Sequence, residues 1–354
     1  MKRLHVHIIF EHGVDRKPFG VAYIRDILPL THPVNSEAFE VTQGTDYALS
    51  DVVIIERTWK PGITLQQAET LVDQVHTDRA RLVYTIDDNL LDLEDMPLPA
   101  RMAVLYFCRA ADGILVSTQA LKERLSGLSR NIFIIPNMLD ERLFIHPLSA
   151  SADALPRPID TISGEPLRIG FMGTFTHDVD LMSILQALRT ILRKYTPDVE
   201  MQLLGGIANP VLAKAFQGLP FQVLRLQPDD IAYPNFIPWM RRNLRWDLGL
   251  APLENTRFNL CKSDIKFLDY SALGIPGIYS RVPSYEATVQ HLETGWLAEN
   301  IPAAWAEAIE ALLSDVELRT RLAHNAQEVI ISRRTLQDNA HLWREAIQNI
   351  ASSG

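Results

Sequence analysis

The sequence predicts an α/β protein of two domains, each organised around a parallel β-sheet. Three observations support this prediction. Apolar strand-like runs alternate with amphipathic helical runs, a pattern typical of parallel strands joined by crossover helices. The 354 residues, 47% of them hydrophobic, suffice for two hydrophobic cores. Residues 147–166 are rich in Pro, Ser and Ala and indicate a linker, after which an apolar strand at 167–172 restarts the pattern.

Composition and charge narrow the classes of protein that the chain can represent. The net charge of −9 argues against a general nucleic-acid binder and against strong electrostatic docking onto anionic lipid. Cys108 and Cys261 form neither a disulfide framework nor a metal site of the usual spacing. No apolar run approaches the roughly 18–20 residues of a membrane-spanning helix. The opening residues are expected to form a strand, not a signal peptide. We therefore expect a cytoplasmic protein.

The elements of the first domain follow from apolar runs and their flanking signals. Pro29 and Pro33 are expected to stop the first helix, because proline lacks the N–H that a helix interior needs. Thr118 is expected to cap the last one. The glycine-containing loop at 11–20 lacks GxGxxG, so a nicotinamide-dependent oxidoreductase has little support. Strands are predicted at 4–10, 51–56, 81–86, 112–117 and 131–137, and helices at 21–30, 65–76, 101–111 and 119–126.

Two adjacent carboxylates, Asp87 and Asp88, follow the strand predicted at 81–86. Ligand sites of open α/β sheets gather at the carboxyl ends of strands, so these side chains are candidates for such a site. The alternative is an acidic turn that caps the next helix. Adjacent carboxylates also ordinarily suggest Mg²⁺.

In the second domain a turn that begins at Gly173 leads into a helix, and His177 lies in this turn. His177 is either a surface histidine at a helix start or part of a ligand site. The final helix has apolar residues at helical spacing, which predicts one buried face. Strands are predicted at 200–206, 221–226, 247–252 and 277–280, and helices at 181–195, 301–321, 322–333 and 335–350.

Residues 255–280 combine a polar loop, a helix and a buried strand, and the rest of the chain is expected to be organised around them. Ser263 or Asp264 is expected to cap the helix. Gly274 and Pro276 are expected to end it near residue 273, since glycine tolerates the left-handed conformation of a helix end and proline forbids continuation.

The start of this helix has the composition of an anion site. Its free amides and the positive end of its dipole, with Lys262 and Lys266 beside them, suit a phosphate or diphosphate. Asp269, one turn further on, has the chemistry to accept hydrogen bonds from a pair of sugar hydroxyls. The alternative is that Lys266 and Asp269 form an ion pair on a solvated helix face, and spacing alone favours that alternative.

A resemblance to a known family alters this balance. SDIKFLDYSALGIPGIYS at 263–280, followed by HLETGWL at 291–297, resembles the donor-site region of GT-B glycosyltransferases related to family 4, the glycosyl transferases group 1. FNLCKSDIKFLDY at 258–270 is similar to the bacterial polysaccharide-type branch of that family, with Cys261 where other members carry a first glutamate. TIDDN at 85–89 resembles the TxHD and IDDD elements, and ADGILVSTQALKERL at 111–125 resembles the last β-α-β unit of the N-terminal domain.

The resemblance implies a GT-B fold with two Rossmann-like domains facing a cleft. It implies an acceptor domain at 1–155, a donor domain at 166–334 and a C-terminal helix at 335–354 that packs back on the first domain. The resemblance implies that Asp87 and Asp88 are the candidate catalytic residues and that Asp269 holds the donor ribose. The implied donor-binding residues are Gly173, Thr174, His177, Asn259, Lys262, Ser263, Lys266 and Asp269.

The function that this resemblance implies is transfer of a hexose or deoxyhexose from a nucleotide sugar to a saccharide or lipid-linked glycan. Retention of anomeric configuration and a role in bacterial surface polysaccharide assembly are expected, with peripheral contact at the inner membrane. No metal, other cofactor or nucleic-acid partner is expected. The alternatives are a sugar-nucleotide epimerase or hydrolase and a non-catalytic nucleotide-binding partner protein with the same fold.

Overall fold

The computed structural model of the chain describes residues 3–144, 165–173 and 177–353. Almost all of the predicted linker at 147–166, and Thr174, lie outside these residues. The predicted domain limits stay predictions. Among the described helices, none is long and apolar enough to cross a membrane.

The first sheet has six parallel strands in the order β2-β1-β3-β4-β5-β6. β2 was not predicted, because it is an edge strand of sequence FEVTQG in which Phe39 alone is fully buried, so it shows no apolar run. The strands are β1 (Leu4–Ile9), β2 (Phe39–Gly44), β3 (Val52–Glu56), β4 (Arg81–Ile86), β5 (Gly113–Val116) and β6 (Ile132–Ile134).

The helices of this half lie close to the predicted ranges. The prediction that Pro29 stops the first helix is wrong. A π-helical segment ends directly before the α-helical segment Leu28–Thr31. Pro29 lies in the first turn of this α-helical segment, where a missing N–H is tolerated. The helices are α1 (Gly20–Ala22, the π segment Tyr23–Ile27 and Leu28–Thr31), α2 (Leu65–Thr77), α3 (Leu98–Ala110), α4 (Gln119–Leu125, capped by Thr118) and α5 (Glu141–Phe144).

The second sheet repeats the plan with six parallel strands in the order β12-β11-β10-β7-β8-β9. Gly249 lies in its central strand β10, where an added Cβ would come within 2.8 Å of the Tyr270 ring, so the helix that carries Tyr270 packs closely on the sheet. The strands are β7 (Leu167–Gly173), β8 (Val199–Gly205), β9 (Phe221–Leu224), β10 (Leu248–Ala251), β11 (Gly277–Ser280) and β12 (Trp296–Ala298), the last of which was not predicted.

Two helix boundaries in this half differ from the predictions. The long C-terminal pair breaks at Asp315, which caps the second helix, and not near residue 321. The predicted helix at 181–195 is two helices that begin earlier, at Asp178. The helices are α6 (Asp178–Ser183), α7 (Leu185–Lys194), α8 (Pro210–Ala215), α9 (Tyr233–Asn243), α10 (Ile265–Ala272), α11 (Pro283–Glu286), α12 (Pro302–Ser314), α13 (Val316–Arg333), α14 (Leu336–Asn339) and α15 (His341–Ser352).

The last two helices return to the first domain. Trp343 on α15 is fully buried in the N-terminal core and its indole N–H donates to the carbonyl of Arg25. Asn35 Nδ2 donates to the carbonyl of Ala340 at 2.8 Å. The predicted crossing of the C-terminal helix is therefore confirmed, and it ties the two halves of the chain together.

The helix α10 begins and ends where the sequence indicated. Gly274 follows it with φ of 69°, the left-handed conformation that glycine adopts without strain. The expected side-chain cap is wrong, because neither candidate bonds to the first turn. Asp264 accepts two hydrogen bonds from Arg334 at 2.9 and 3.0 Å, and Ser263 Oγ accepts one from Asn137 at 2.8 Å. Both side chains thus contact other parts of the molecule.

Candidate functional site

A cavity of about 180 Å³ lies between the two sheets and is lined by both domains. A wider depression of about 480 Å³, beside Tyr47 and Trp59 on the first domain, contains none of the predicted site residues. The smaller cavity brings together Asp87, Asp88, His177, Lys262, Ser263 and Lys266. Residues of both domains, far apart in the sequence, therefore line one cavity.

Carboxylates form the wall of the cavity on the first domain. Asp87 and Asp88 follow β4, at the carboxyl end of the sheet. The Nη1 atom of Arg57, the residue after β3, donates to Asp87 Oδ1 at 2.6 Å and to Asp88 Oδ2 at 2.9 Å. Its Nε donates to Glu11 Oε2 at 2.8 Å. One guanidinium thus joins the ends of β1, β3 and β4.

The two aspartates have different electrostatic environments. Burial raises the pKa of Asp87, and Arg57 offsets this only in part. Burial also acts to raise the pKa of Asp88, but attraction to Arg57 and Lys262 outweighs it, so this pKa lies below its ordinary value. A pair of carboxyl groups with separated pKa values has the chemistry for one to take up a proton while the other stays ionised.

Behind this wall lies a second layer of ionisable side chains, Arg25, Asp26 and Glu56, all of them fully buried. Burial raises the pKa of Asp26 to about 7 and that of Glu56 well above its ordinary value. Arg25 donates to the carbonyl of Ile135 at 2.6 Å and to Asn137 Oδ1 at 2.9 Å. This layer fixes Asn137, which in turn donates to Ser263 in the other domain.

The opposite wall, on the second domain, is basic. Lys266, on the first turn of α10, is only 7% exposed, and its Nζ lies 3.2 Å from His177 Nε2. His177 Nδ1 lies 2.7 Å from Asp180 Oδ2. Because a carboxylate accepts, Nδ1 carries the proton and Nε2 accepts from the Lys266 ammonium. Asp180, His177 and Lys266 therefore form a hydrogen-bonded relay, which holds one ammonium group at the wall of the cavity.

Burial and the neighbouring charges shift both titrating groups of this relay. Burial and Lys262 lower the pKa of Lys266 to about 7. Burial and Lys266 lower the pKa of His177 to about 4, which keeps the imidazole neutral at physiological pH. Lys266 therefore has a charge that an anionic ligand can stabilise.

Asp269 lies on the same helix as Lys266 but does not line the cavity. It is 5% exposed, and its Oδ1 has no hydrogen-bond partner among the described residues. Burial raises its pKa to about 7, against the attraction of Lys266. The alternative of an ion pair on a solvated face is wrong, because both side chains are buried and no ion pair joins them in the described part of the chain.

The remaining predicted residues have other surroundings. Gly173 ends β7, and an added Cβ there would come within 2.9 Å of the Phe171 ring. Thr174 is outside the described residues. Asn259 is buried and donates to Asp180 Oδ1 at 3.2 Å and to the carbonyl of Glu254 at 2.9 Å, so it holds Asp180 and does not reach the cavity.

Sequence reasoning missed Arg57, Asp180 and Asn137. The signal for Arg57 was present, because it follows a buried strand as Asp87 does, at the same edge of the sheet. Asp180 lies three residues after His177, within the same first turn of α6. Asn137 had no local signal, since its partners are 112 and 126 residues away.

The loop that carries Lys262 is attached to the first domain. Cys261 packs in the N-terminal core, and its carbonyl accepts from Thr118 Oγ1 at 2.9 Å. Asn89 Nδ2 donates to the carbonyl of Arg257 at 3.3 Å. At the position where the resembled family carries a glutamate, this chain thus has a buried core residue.

Comparison with known protein families gives a match in the second domain. Residues 166–315 match the sequence profile of the family described as "Glycosyl transferases group 1". No curated protein sequence matches the chain significantly.

Solved structures resemble both halves at low sequence identity. Anabaena HepE, crystallised with UDP and glucose, has a TM-score of 0.69 at 13% identity, over 98% of this chain and 100% of HepE. A Rickettsia africae glycosyltransferase has 0.63 at 12%, over the full length of both chains. TarM of S. aureus has 0.59 at 14% over 85% of this chain, which spans 55% of TarM. At these identities the likeness shows the fold, which is GT-B as predicted. Residues 166–315 in the second domain are thus similar to the glycosyl transferases group 1 family, and the chain as a whole has the GT-B fold.

Proposed function

We propose that the protein transfers a sugar from a nucleoside diphosphate sugar to a saccharide or lipid-linked glycan acceptor. The observation that carries this proposal is the opposition of charge in one cavity, with Lys262 and Lys266 on one wall and Asp87 and Asp88 on the other. A nucleotide sugar has the matching polarity, an anionic diphosphate joined to a polyhydroxyl ring. HepE, of the same fold, was solved with UDP and glucose, which makes UDP-sugars the first donors to test.

The donor half of the reaction requires stabilisation of the departing diphosphate. Lys262 and Lys266, with the amides of α10, would offset the negative charge that develops as the bond between the anomeric carbon and the phosphate oxygen breaks. The His177 and Asp180 relay holds the Lys266 ammonium in place. Asp269 would accept hydrogen bonds from the ribose, as the resemblance implies.

The acceptor half requires removal of a hydroxyl proton as the acceptor oxygen bonds to the anomeric carbon. Asp87 is the group with the raised pKa and would receive that proton, while ionised Asp88 would accept hydrogen bonds from sugar hydroxyls. We propose retention of configuration, as the family resemblance implies.

The proposed reaction uses no metal ion. Arg57 already pairs with one oxygen of Asp87 and one of Asp88, so a cation other than a metal ion neutralises part of their charge. In the described part of the chain, the group of three or more His, Cys, Asp or Glu side chains close enough together to hold a metal is His32, Asp140 and Glu141, which does not include Asp87 or Asp88. Unchanged turnover in EDTA would support metal independence.

We place the reaction in bacterial surface polysaccharide assembly, on the cytoplasmic side of the inner membrane. The similarity of residues 258–270 to the polysaccharide-type branch supports this setting. Peripheral membrane contact would bring a lipid-linked acceptor to the cleft.

A calorimetric screen of UDP, GDP, dTDP, ADP and CMP against the purified protein tests the donor class. Selective binding of one nucleoside diphosphate, followed by turnover of its sugar conjugates, supports transfer. Binding without turnover under any acceptor would favour the non-catalytic alternative. Donor turnover without acceptor would indicate an epimerase or hydrolase.

The variant Asp87→Asn separates chemistry from binding. If Asp87 accepts the proton, transfer should fall by at least about 100-fold, the usual contribution of a general base. Nucleotide affinity should stay within about twofold of the parent protein. Equal losses of transfer and of affinity would exclude the catalytic role.

A further inference from the structure

Arg57 is held in an unusual backbone conformation directly after β3. Its φ is 46°, in the left-handed region that a side chain other than glycine rarely adopts. Its N–H donates to the carbonyl of Thr85 at 3.0 Å, and its own carbonyl accepts from the Tyr84 hydroxyl at 2.9 Å. Such a conformation persists where the surroundings over-determine it, and such residues cluster at functional sites.

This conformation directs the guanidinium to three carboxylates from two chain segments, Glu11 after β1 and the adjacent Asp87 and Asp88 after β4. The Arg57 side chain is 15% exposed and those of the two aspartates are 13% and 25% exposed, so water screens the contacts weakly. Glu11 also accepts from the N–H of Thr58. The guanidinium is therefore held through two of its nitrogens, Nε and Nη1.

We propose that Arg57 is a positioning residue of the transfer reaction, which orients Asp87 and Asp88 toward the cavity and keeps both available as anions. This inference rests on the proposed function. It assigns Arg57 no contact with substrate, so its removal should alter chemistry and the pH range of activity more than nucleotide binding.

Two adjacent buried carboxyl groups without a cation between them share a proton, because both cannot ionise together. The other groups that face the pair do not replace Arg57. Arg25 is fixed by Ile135 and Asn137 behind the wall, and the lysines lie across the cavity. The charged and titratable groups around the pair are Glu11, Arg25, Asp26, Glu56, Lys262, Lys266 and His177.

The test compares Arg57→Gln, Arg57→Lys and a control, Arg81→Gln. Arg81 pairs with Asp112 at 3.1 Å at the opposite end of the same sheet, so its loss removes an ion pair of the first domain without touching the cavity. Transfer from the donor that the nucleotide screen selects is measured between pH 5 and 9, and nucleotide affinity by calorimetry.

We expect the acidic limb of the pH profile of Arg57→Gln to move up by about 1 to 3 pH units, the usual effect of one nearby cation on a carboxyl group. Transfer at pH 7 should fall at least about tenfold, with nucleotide affinity within about twofold. Arg57→Lys should keep the acidic limb near that of the parent protein but not full turnover, since an ammonium cannot span three carboxylates. Arg81→Gln should match the parent protein.

A second readout needs no turnover. If Arg57→Gln raises the folded-state pKa of the aspartates, the folded state binds extra protons, so the unfolding free energy should fall more steeply between pH 5 and 8 than in Arg81→Gln. An unmoved acidic limb and an unchanged pH dependence of stability would overturn the inference on Arg57 alone. A parent protein that neither binds nor turns over any nucleotide sugar would overturn the proposed function instead. If Arg57→Gln does not fold, Arg57→Lys decides by its turnover: reduced transfer with nucleotide affinity within about twofold supports the inference, and transfer equal to that of the parent protein overturns it.

Discussion

At the scale of single residues, the site depends on charges that the fold alone does not favour. Lys266 is almost fully buried, and its pKa of about 7 means that the free protein gains little from its charge. A bound diphosphate would supply the missing anion and raise this pKa again. Such a group stabilises its ligand more than it stabilises the protein.

Lys266→Ala should weaken binding of the selected nucleoside diphosphate about 10- to 100-fold, the equivalent of a charged hydrogen bond of about 1.5–3 kcal/mol. In the parent protein, affinity should rise as the pH falls from 8 to 6, because the ammonium form binds the diphosphate and its pKa is about 7. Calorimetry in buffers of different ionisation enthalpy should detect proton uptake near pH 8. The exposed Lys194, paired with Glu310, provides the control Lys194→Ala. Equal affinity of Lys266→Ala and this control would refute the role.

The variant Asp269→Asn should bind nucleotide more weakly but be more stable at alkaline pH. The pKa of Asp269 rises on folding from 3.8 to about 7, so its contribution to stability is present below pH 3.8 and is lost as the pH rises toward 7. Above pH 7 the folded protein holds a buried carboxylate with an unpartnered oxygen. Replacing it should raise the unfolding free energy at pH 8 by about 1–3 kcal/mol and leave it unchanged near pH 4.

Chemical denaturation at the two pH values measures this effect, with Asp73→Asn on the exposed face of α2 as the control. Nucleotide affinity of Asp269→Asn should fall. A variant that is no more stable than the control at pH 8 would show that the burial of Asp269 carries no cost.

At the scale of elements, the C-terminal helix is part of the first domain's core. Trp343 is fully buried and lies 5.7 Å from the Arg25 guanidinium, measured to the ring centre. Trp343→Ala should lower the unfolding free energy by about 3–5 kcal/mol, the usual cost of removing a buried large aromatic side chain. Trp343→Phe keeps an apolar ring but loses the bond to the Arg25 carbonyl, so its loss should be smaller, about 1 kcal/mol. Similar losses in the two variants, measured by denaturant titration, would contradict this ordering.

The sequence predicted the elements that have apolar runs and clear end signals. α10 and β11 are where Gly274 and Pro276 indicated, and Thr118 caps α4 as expected. β2 has only one fully buried residue, so the polar majority of the strand concealed it. Side-chain environments were harder to predict, because the burial of Lys266 and Asp269 depends on contacts with distant segments, which spacing within one helix does not show.

At the scale of the whole molecule, the cleft has walls of opposite charge supplied by different domains. A diphosphate against the lysines leaves the sugar facing Asp87 and Asp88. An anionic sugar should therefore be disfavoured, because like charges brought together in a site cost several kcal/mol. Among donors with the same nucleotide, a neutral hexose should be preferred over the corresponding hexuronate by more than about tenfold in kcat/KM.

Competition assays with matched sugar nucleotides measure this preference. Asp88→Asn removes one negative charge and should reduce the preference for the neutral hexose over the hexuronate. A parent protein that uses the hexuronate as readily as the hexose would place the sugar away from the carboxylates.

The attachment of the loop at 257–263 limits how freely the domains can be exchanged between relatives. Lys262 belongs to the second domain in sequence, yet Asn89, Thr118 and Asn137 of the first domain hold the loop on either side of it. Cys261 fills a position in the first domain's core. A chimera that takes a new donor domain from a relative would bring a loop shaped for another partner. Donor specificity would be inherited by such a protein only if the relative's counterparts of these three polar residues, and of the core position that Cys261 fills, were transplanted with it.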